Sequence, residues 1–266
     1  MSNQPVLDLV VGCGEVGGPL ADLLEASGLT ILRHDPPKGL TVPGQPVRAL
    51  HVCLPWSVAF SDTVREADRT WTPQVVIIHS TVPVGTTHAL YLAGVPAVHS
   101  PVFGQHTTMR EDLPRMTKFV GADDYESNGN SWWSCEADRA LRDSFPHRRY
   151  VQDSRTTELG KLLDLSRYGI MIAFAREQAT LCQSLGLDYQ IVVDALVVDK
   201  NTAMEARGTP DLRQQRLTPP TGPLGGHCVL PGMARLCEQF GDHLPILRSA
   251  YQQEHSLDDD NKSVRA

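Results

Sequence analysis

The sequence predicts an α/β protein. A parallel-sheet domain is expected over residues 1–150, and a mainly helical domain with a long central helix over residues 151–266. Three observations lead there. Short apolar runs alternate with helical segments through the first half, as in a parallel sheet with crossover helices. A glycine-rich turn joins the first run to the first helical segment. From Thr156 to Leu185 the spacing becomes one long helical pattern.

Leu7–Val11 is apolar apart from Asp8 and stops at glycines, as a buried parallel strand does. In Pro19–Ala26, Leu20, Leu23 and Leu24 share a helical face. Leu29–Leu32 reads as the second strand, with Asp35 just beyond it. Ala49–Leu54, closed by Pro55, is the third, and Val75–Ile78 the fourth. Ala97–Val98 and Phe119–Val120 are two more. Asp123–Trp133 is polar and reads as a loop, and Glu136–Phe145 as a short helix. Gly186 is placed to cap the long helix, within which Gly169 is a weak point. Asp188 can cap a further helix running to about Arg207. Thr209–Pro223 reads as a loop, and the polar end, Ser256–Ala266, is expected to fray. The domain boundary belongs near Tyr150–Ser154.

Composition narrows the function. Of 266 residues, 24 are Lys or Arg and 31 Asp or Glu, a net charge of −7. Nothing in that balance neutralises phosphates or docks on an anionic membrane, so neither nucleic acid nor a membrane is an expected partner. No run reaches the ~18 apolar residues a spanning helix needs. The start, Met1 to Pro5, lacks a signal peptide's basic flank. Cys13, Cys53, Cys135, Cys182, Cys228 and Cys237 form no CxxC pair, so no metal site is expected. The expected location is the cytoplasm, with the cysteines as thiols.

Gly12-Cys13-Gly14-Glu15-Val16-Gly17 follows the first strand and opens a helix, and Asp35 stands 18 positions after Gly17. The context makes this a dinucleotide-binding, Rossmann-like turn. Gly12 permits the tight turn, Gly14 the approach of a pyrophosphate, and Gly17 close packing of helix on strand. The helix N-terminus, reached through Glu15 and Val16, offers N–H groups to phosphate. Asp35 can accept from both ribose hydroxyls and repels a 2′-phosphate, which favours NAD, although Arg33 and Lys38 flank it.

His79-Ser80-Thr81 follows the fourth strand, where open α/β sheets bind ligands. Ser80 and Thr81 suit a nicotinamide ribose or a substrate; alternatively the segment is a capping series, with Thr86 or Thr87 serving the next helix. His79 and His99 lie near strand ends and read as structural. Glu158 and Lys161 share a helical face, either as a solvated ion pair or with Lys161 beside a substrate carbonyl as oxyanion stabiliser. Cys228 ends the loop Gly222-Pro223-Leu224-Gly225-Gly226-His227. It is a candidate nucleophile if Lys161 or His227 activates it, and otherwise an inert thiol.

In this order the segments resemble the nucleotide-sugar dehydrogenases of the UDP-glucose/GDP-mannose dehydrogenase family. The matching pieces are Gly12–Ala21, Ser80–Thr87, Glu158–Leu162, Ile172–Asp188 and Gly222–Pro231. The resemblance covers roughly residues 5–236 and is to a shortened member without the family's further C-terminal nucleotide-binding domain. It implies oxidation of a sugar primary alcohol to a carboxylate with two NAD. Cys228 would form a thiohemiacetal and then a thioester, with Lys161 and Glu158 also in the catalytic set. It implies a nucleotide-sugar substrate and a homodimer formed through the long helix, in which Leu162, Leu163, Ile170, Ile172 and Phe174 are too apolar to face water everywhere. Leu165, Gly232 and Val102 stand where the family carries asparagine, aspartate and glutamate. Two alternatives remain open. One is a single-step β-hydroxyacid-type dehydrogenase using Lys161 as acid/base, to whose substrate loop Pro101–Gly104 is similar. The other is a non-catalytic NAD- or nucleotide-binding protein.

Overall fold

The computed structural model describes residues 6–126, 129, 131–220, 222 and 228–265. The strands are β1 (Leu7–Val11), β2 (Thr30–His34), β3 (Ala49–Val52), β4 (Val75–Ile78), β5 (Ala97–His99), β6 (Lys118–Ala122) and β7 (Arg148–Gln152). They form one sheet in the order β2-β1-β3-β4-β5-β6-β7. Every pairing is parallel except β5 with β6, where His99 faces Gly121. The helices of this part are α1 (Gly17–Ala26), α2 (Phe60–Trp71), α3 (Thr86–Leu92), α4 (Met109–Asp112) and α5 (Trp132–Leu141). The reversal at β6 follows from its connection. The four residues of α4 rise only ~6 Å, so the chain is not carried back across the sheet and β6 starts from the edge where β5 ends.

Both faces of the sheet are covered, which explains the nearly unbroken apolar runs. On one face Val10, Ala49, Ile77 and Val120 pack with Leu20 and Leu24 of α1 and with Ala137 and Leu141 of α5. On the other, Leu9, Leu50, Val76 and Ile78 pack with Phe60 and Val64 of α2 and Leu90 of α3. Each fully buried Leu or Ile contributes roughly 1.5–3 kcal/mol. Asp8, the one interruption of β1, is wholly buried and paired with Arg48, and it accepts the Ala49 N–H at 3.2 Å.

The remaining helices are α6 (Ser154–Ser184), α7 (Leu196–Ala206), α8 (Val229–Phe240) and α9 (Pro245–Arg265). A π-helical turn, Gln190–Ala195, precedes α7. Gly186 leaves α6 with φ +66°, and Asp188 accepts the Gln190 N–H at 2.9 Å, as the sequence led one to expect. By compactness the chain divides into Met1–Lys161 and Leu162–Ala266, so the first turns of α6 go with the sheet. The described residues contain no helix long and apolar enough to cross a membrane.

Three local expectations are corrected. The helix expected from Glu136 begins at Trp132, because Ser131 caps it by accepting the Ser134 N–H at 2.9 Å. Strand β7 was not anticipated; Arg-Arg-Tyr-Val-Gln is half exposed at the sheet edge and carries no apolar run. The polar end from Ser256 is helical, as the continuation of α9 to Arg265. Gly169 is a packing point, not a weak one: a Cβ there would lie 2.2 Å from Met233 Sδ of α8.

Candidate functional site

The glycine turn has the geometry its sequence requires. Gly12 has φ +85°, and a Cβ there would lie 2.7 Å from the Cys53 carbonyl oxygen. A Cβ on Gly17 would lie 1.8 Å from the Gly12 carbonyl oxygen, so only glycine lets α1 start this close to β1. A Cβ on Gly14 would meet nothing within 4 Å. The turn is tight below and open above, a cradle that side chains leave to a ligand. Glu15 is exposed, and Val16, in the N-cap position of α1, offers no side-chain cap. With no acid in the first turn, the helix's positive end is left to an anion.

Asp35 closes the cradle. Its Oδ2 accepts the Cys13 N–H at 2.9 Å, which fixes the carboxylate against the turn. Both flanking cations are occupied by protein groups. Lys38 Nζ donates to the Cys13 carbonyl at 2.6 Å, and Arg33 is paired with Asp22 and Glu25, at 2.7 Å each.

Ser80 and Thr81 lie at the C-terminal edge beyond β4. Ser80 is buried, with its hydroxyl 3.4 Å from the Val52 carbonyl, and Thr81 is half-buried. The next helix is not capped by a threonine. Gly85 takes the N-cap position of α3, and the acceptor comes from α6: Glu158 takes the Gly85 N–H at 2.6 Å and the Thr87 N–H at 2.8 Å. Glu158 is wholly buried, which removes the reading of it as half of a solvated ion pair. Burial pushes its carboxyl up to about 7, opposed by the two N–H bonds. Lys161, one turn on, is half-buried, with Nζ 4.7 Å above the Phe103 ring, a cation–π contact.

A line of titratable side chains runs beneath this edge, and sequence reasoning missed most of it. Lys118, 3% exposed, directs Nζ at the Ser100 carbonyl (2.7 Å), the Pro101 carbonyl (3.0 Å) and His79 Nδ1 (3.0 Å). His79 Nε2 lies 2.9 Å from His51 Nδ1, and His51 Nε2 lies 4.0 Å from Asp8. His79 Nδ1 also lies 2.8 Å from the Ser100 carbonyl, which only accepts, so Nδ1 carries the hydrogen and His79 Nε2 accepts from His51 Nδ1. Burial pushes Lys118 down to about 7 and His51 to about 4, and holds His79 well below its usual range. His99 bonds Thr157 of α6 at 2.8 Å, and burial pushes it to about 3. The available signal was a charged or imidazole residue inside a short apolar run: Asp8, His51, Lys118. Among the described residues no group of three or more His, Cys, Asp or Glu is placed to hold a metal ion.

In the second unit, Cys228 takes the N-cap position of α8, half-buried, and its carbonyl accepts the Gly232 N–H at 2.9 Å. A helix favours negative charge there. Residues 223–227, including His227, lie outside the described residues. Leu165 and Gly232 are packed against each other; a Cβ on Gly232 would lie 3.1 Å from Leu165 Cδ1.

No known family model matches the chain. A UDP-N-acetyl-D-mannosamine dehydrogenase of Methanococcus vannielii is 29% identical over 156 residues, and one of Methanococcus maripaludis is 28% identical over 156. Each match takes in 58% of this chain and 33% of the relative, so the chain matches about one third of the length of these curated relatives. Among solved structures, a UDP-D-ManNAc dehydrogenase from Pyrococcus horikoshii superposes with a TM-score of 0.74 at 17% identity, over 95% of this chain and 69% of that one. The 3-hydroxyisobutyrate dehydrogenase of Mycobacterium tuberculosis gives 0.69 at 14% identity, over 94% and 92%. These likenesses establish the fold: a mostly parallel Rossmann-like sheet domain followed by a helical region with the long helix α6. In sequence, the chain is a distant homologue of the UDP-N-acetyl-D-mannosamine dehydrogenases, related to them over part of their length.

Proposed function

We propose that the chain is an NAD-dependent oxidoreductase acting on the primary alcohol of a nucleotide sugar. The observation that carries this reading is the glycine cradle closed by Asp35. Gly12, Gly14, Glu15, Val16 and Gly17 would hold the pyrophosphate, Asp35 the adenosine ribose, and Ser80 and Thr81 the nicotinamide side. The occupation of Lys38 and Arg33 by protein groups supports NAD over a cofactor with a 2′-phosphate. When bound, NAD supplies the hydride acceptor. Lys161 supplies a positive charge for a substrate oxygen, and Cys228 a sulfur that would add to the aldehyde carbon; the thiohemiacetal would give up its hydride to a second NAD, and water would then release the thiol and the acid. Glu158 belongs to this set as a positioning residue, fixing α3 behind Thr81 through its two N–H bonds. In the same reading the protein is a cytoplasmic homodimer.

A second reading is favoured by the packed Leu165–Gly232 pair, which stands where the sugar dehydrogenases carry asparagine and aspartate. On it Lys161 is the acid/base of a single oxidation and Cys228 is a bystander. Cofactor reduction separates the two. Full-length protein is mixed with NAD and a panel of UDP- and GDP-sugars and simple hydroxyacids. Two NADH per sugar, lost in Cys228→Ser while NAD binding persists, is the expected outcome. One NADH, unchanged in Cys228→Ser, selects the second reading. NAD binding with no turnover of any substrate overturns both and leaves a nucleotide-binding protein.

A further inference from the structure

Arg176 lies in the segment Ile172–Asp188, and no role proposed above uses it. Its guanidinium is engaged on two edges. Nε and Nη2 reach the carboxylate of Glu254 on α9 at 2.9 and 3.0 Å. Nη1 donates to the Pro220 carbonyl and Nη2 to the Gly222 carbonyl, both at 2.8 Å. Glu254 is wholly buried and the Arg176 side chain is 16% exposed. A carboxylate so placed is tolerated only when paired and hydrogen-bonded. The bidentate pair fixes the guanidinium plane, and the plane fixes where the other two bonds can point. The held carbonyls precede Cys228 by eight and six residues. The six residues from Gly222 to Cys228 reach at most about 21 Å when extended, so an anchor at 222 limits where the thiol can stand.

We propose that Arg176, held in plane by Glu254, is a positioning residue that anchors the chain leading into Cys228. Its effect on turnover rests on the reading of Cys228 as nucleophile; its effect on the thiol does not. Lysine separates an anchor from a plain ion pair. It keeps the charge beside Glu254 but lacks the planar fork that reaches both carbonyls.

The test is iodoacetamide alkylation of the full-length chain, read at Cys228 by mass spectrometry with Cys135 as internal reference. Arg176→Lys is compared with the wild type and with Arg176→Met/Glu254→Leu, which removes the buried charges together so that neither is left unpaired. The expected result in both variants is a Cys228 rate changed about tenfold with the Cys135 rate unchanged, and a kcat for acid formation lowered up to about a hundredfold at constant KM for NAD. A changed Cys228 rate in a protein whose wild type forms no acid supports the anchor and overturns the nucleophile reading. Wild-type alkylation at Cys228 in both variants overturns the anchor and leaves Arg176 as a tie between α6 and α9.

Discussion

Lys118 is buried in an apolar layer, and two carbonyl acceptors explain how its polar head is tolerated. Ser100 and Pro101 accept from Nζ, yet burial still pushes it down to about 7. Unfolded, a lysine titrates near 10.4. Between those values the unfolded chain binds the proton and the folded one does not, so stability rises with pH across that window. The contribution is fully present above the unfolded value and lost as pH falls through about 7. His51 and His99 extend the trend. Held neutral with values of about 4 and 3, they cost stability as pH falls below the ordinary histidine range. In Lys118→Met the rise above pH 7 should be lost, while the histidine-linked acid loss remains. Near pH 10, where the cost of shedding the proton has largely gone, the variant should be about 1–3 kcal/mol less stable, because buried carbonyls lose their donor. Urea unfolding from pH 5 to 10 reads both. A slope unchanged in Lys118→Met would show that Lys118 does not release its proton on folding.

At the scale of elements, the contact between α6 and α3 is a cap supplied from 71 residues away. The sequence places threonines where a helix start wants a cap, and local reasoning stops there. Glu158 supersedes them because its helix packs its carboxylate onto two N–H groups that α3 cannot satisfy itself. Elements with a local signature were legible: β1 and β4 start and stop where the apolar runs do, and the Gly12 turn shows in its spacing. Elements defined by neighbours were not. β7 is a strand because β6 lies beside it, and α9 ends in residues that show no apolar period. The cap has its own pH signature, opposite in sign to that of Lys118. Raised to about 7, Glu158 carries a proton in the fold that the unfolded chain has lost, so its contribution is fully present below about 4.3 and lost as pH rises through about 7. Glu158→Gln should flatten that fall and cost about 1–3 kcal/mol at pH 5, since its one amide oxygen serves only one of the two N–H groups. Glu158→Ala should cost about 1–3 kcal/mol for each N–H left without one. Equal losses in the two variants at pH 5 would mean that packing, not the cap, is what Glu158 supplies.

At the scale of the molecule, the glycine turn and its acidic partner were legible and the buried side-chain line was not, for a physical reason. Gly12, Gly14, Gly17 and Asp35 act through backbone geometry, which leaves a fixed spacing. The line from Lys118 to Asp8 acts through side chains from separate strands, which leaves none. The long helix raises the last question, what its apolar residues face. Leu162 and Ile172 are buried within the chain, whereas Leu163 is 45% exposed, Phe174 58% and Leu181 60%. Leu163, Phe174 and Leu181 are separated by 11 and 7 residues, close to whole numbers of turns, so they lie on one side of α6. Polar residues at these positions would cost the monomer nothing, and exposed apolar side chains aligned on one side of a helix fit an interaction surface. The homodimer proposed above would use that side of α6 as its interface. Sedimentation equilibrium at micromolar concentration should give twice the 29.2 kDa chain mass. Phe174→Glu with Leu181→Glu should return it to the single chain. A wild-type chain that sediments as a monomer, with the double variant indistinguishable from it, removes the dimer.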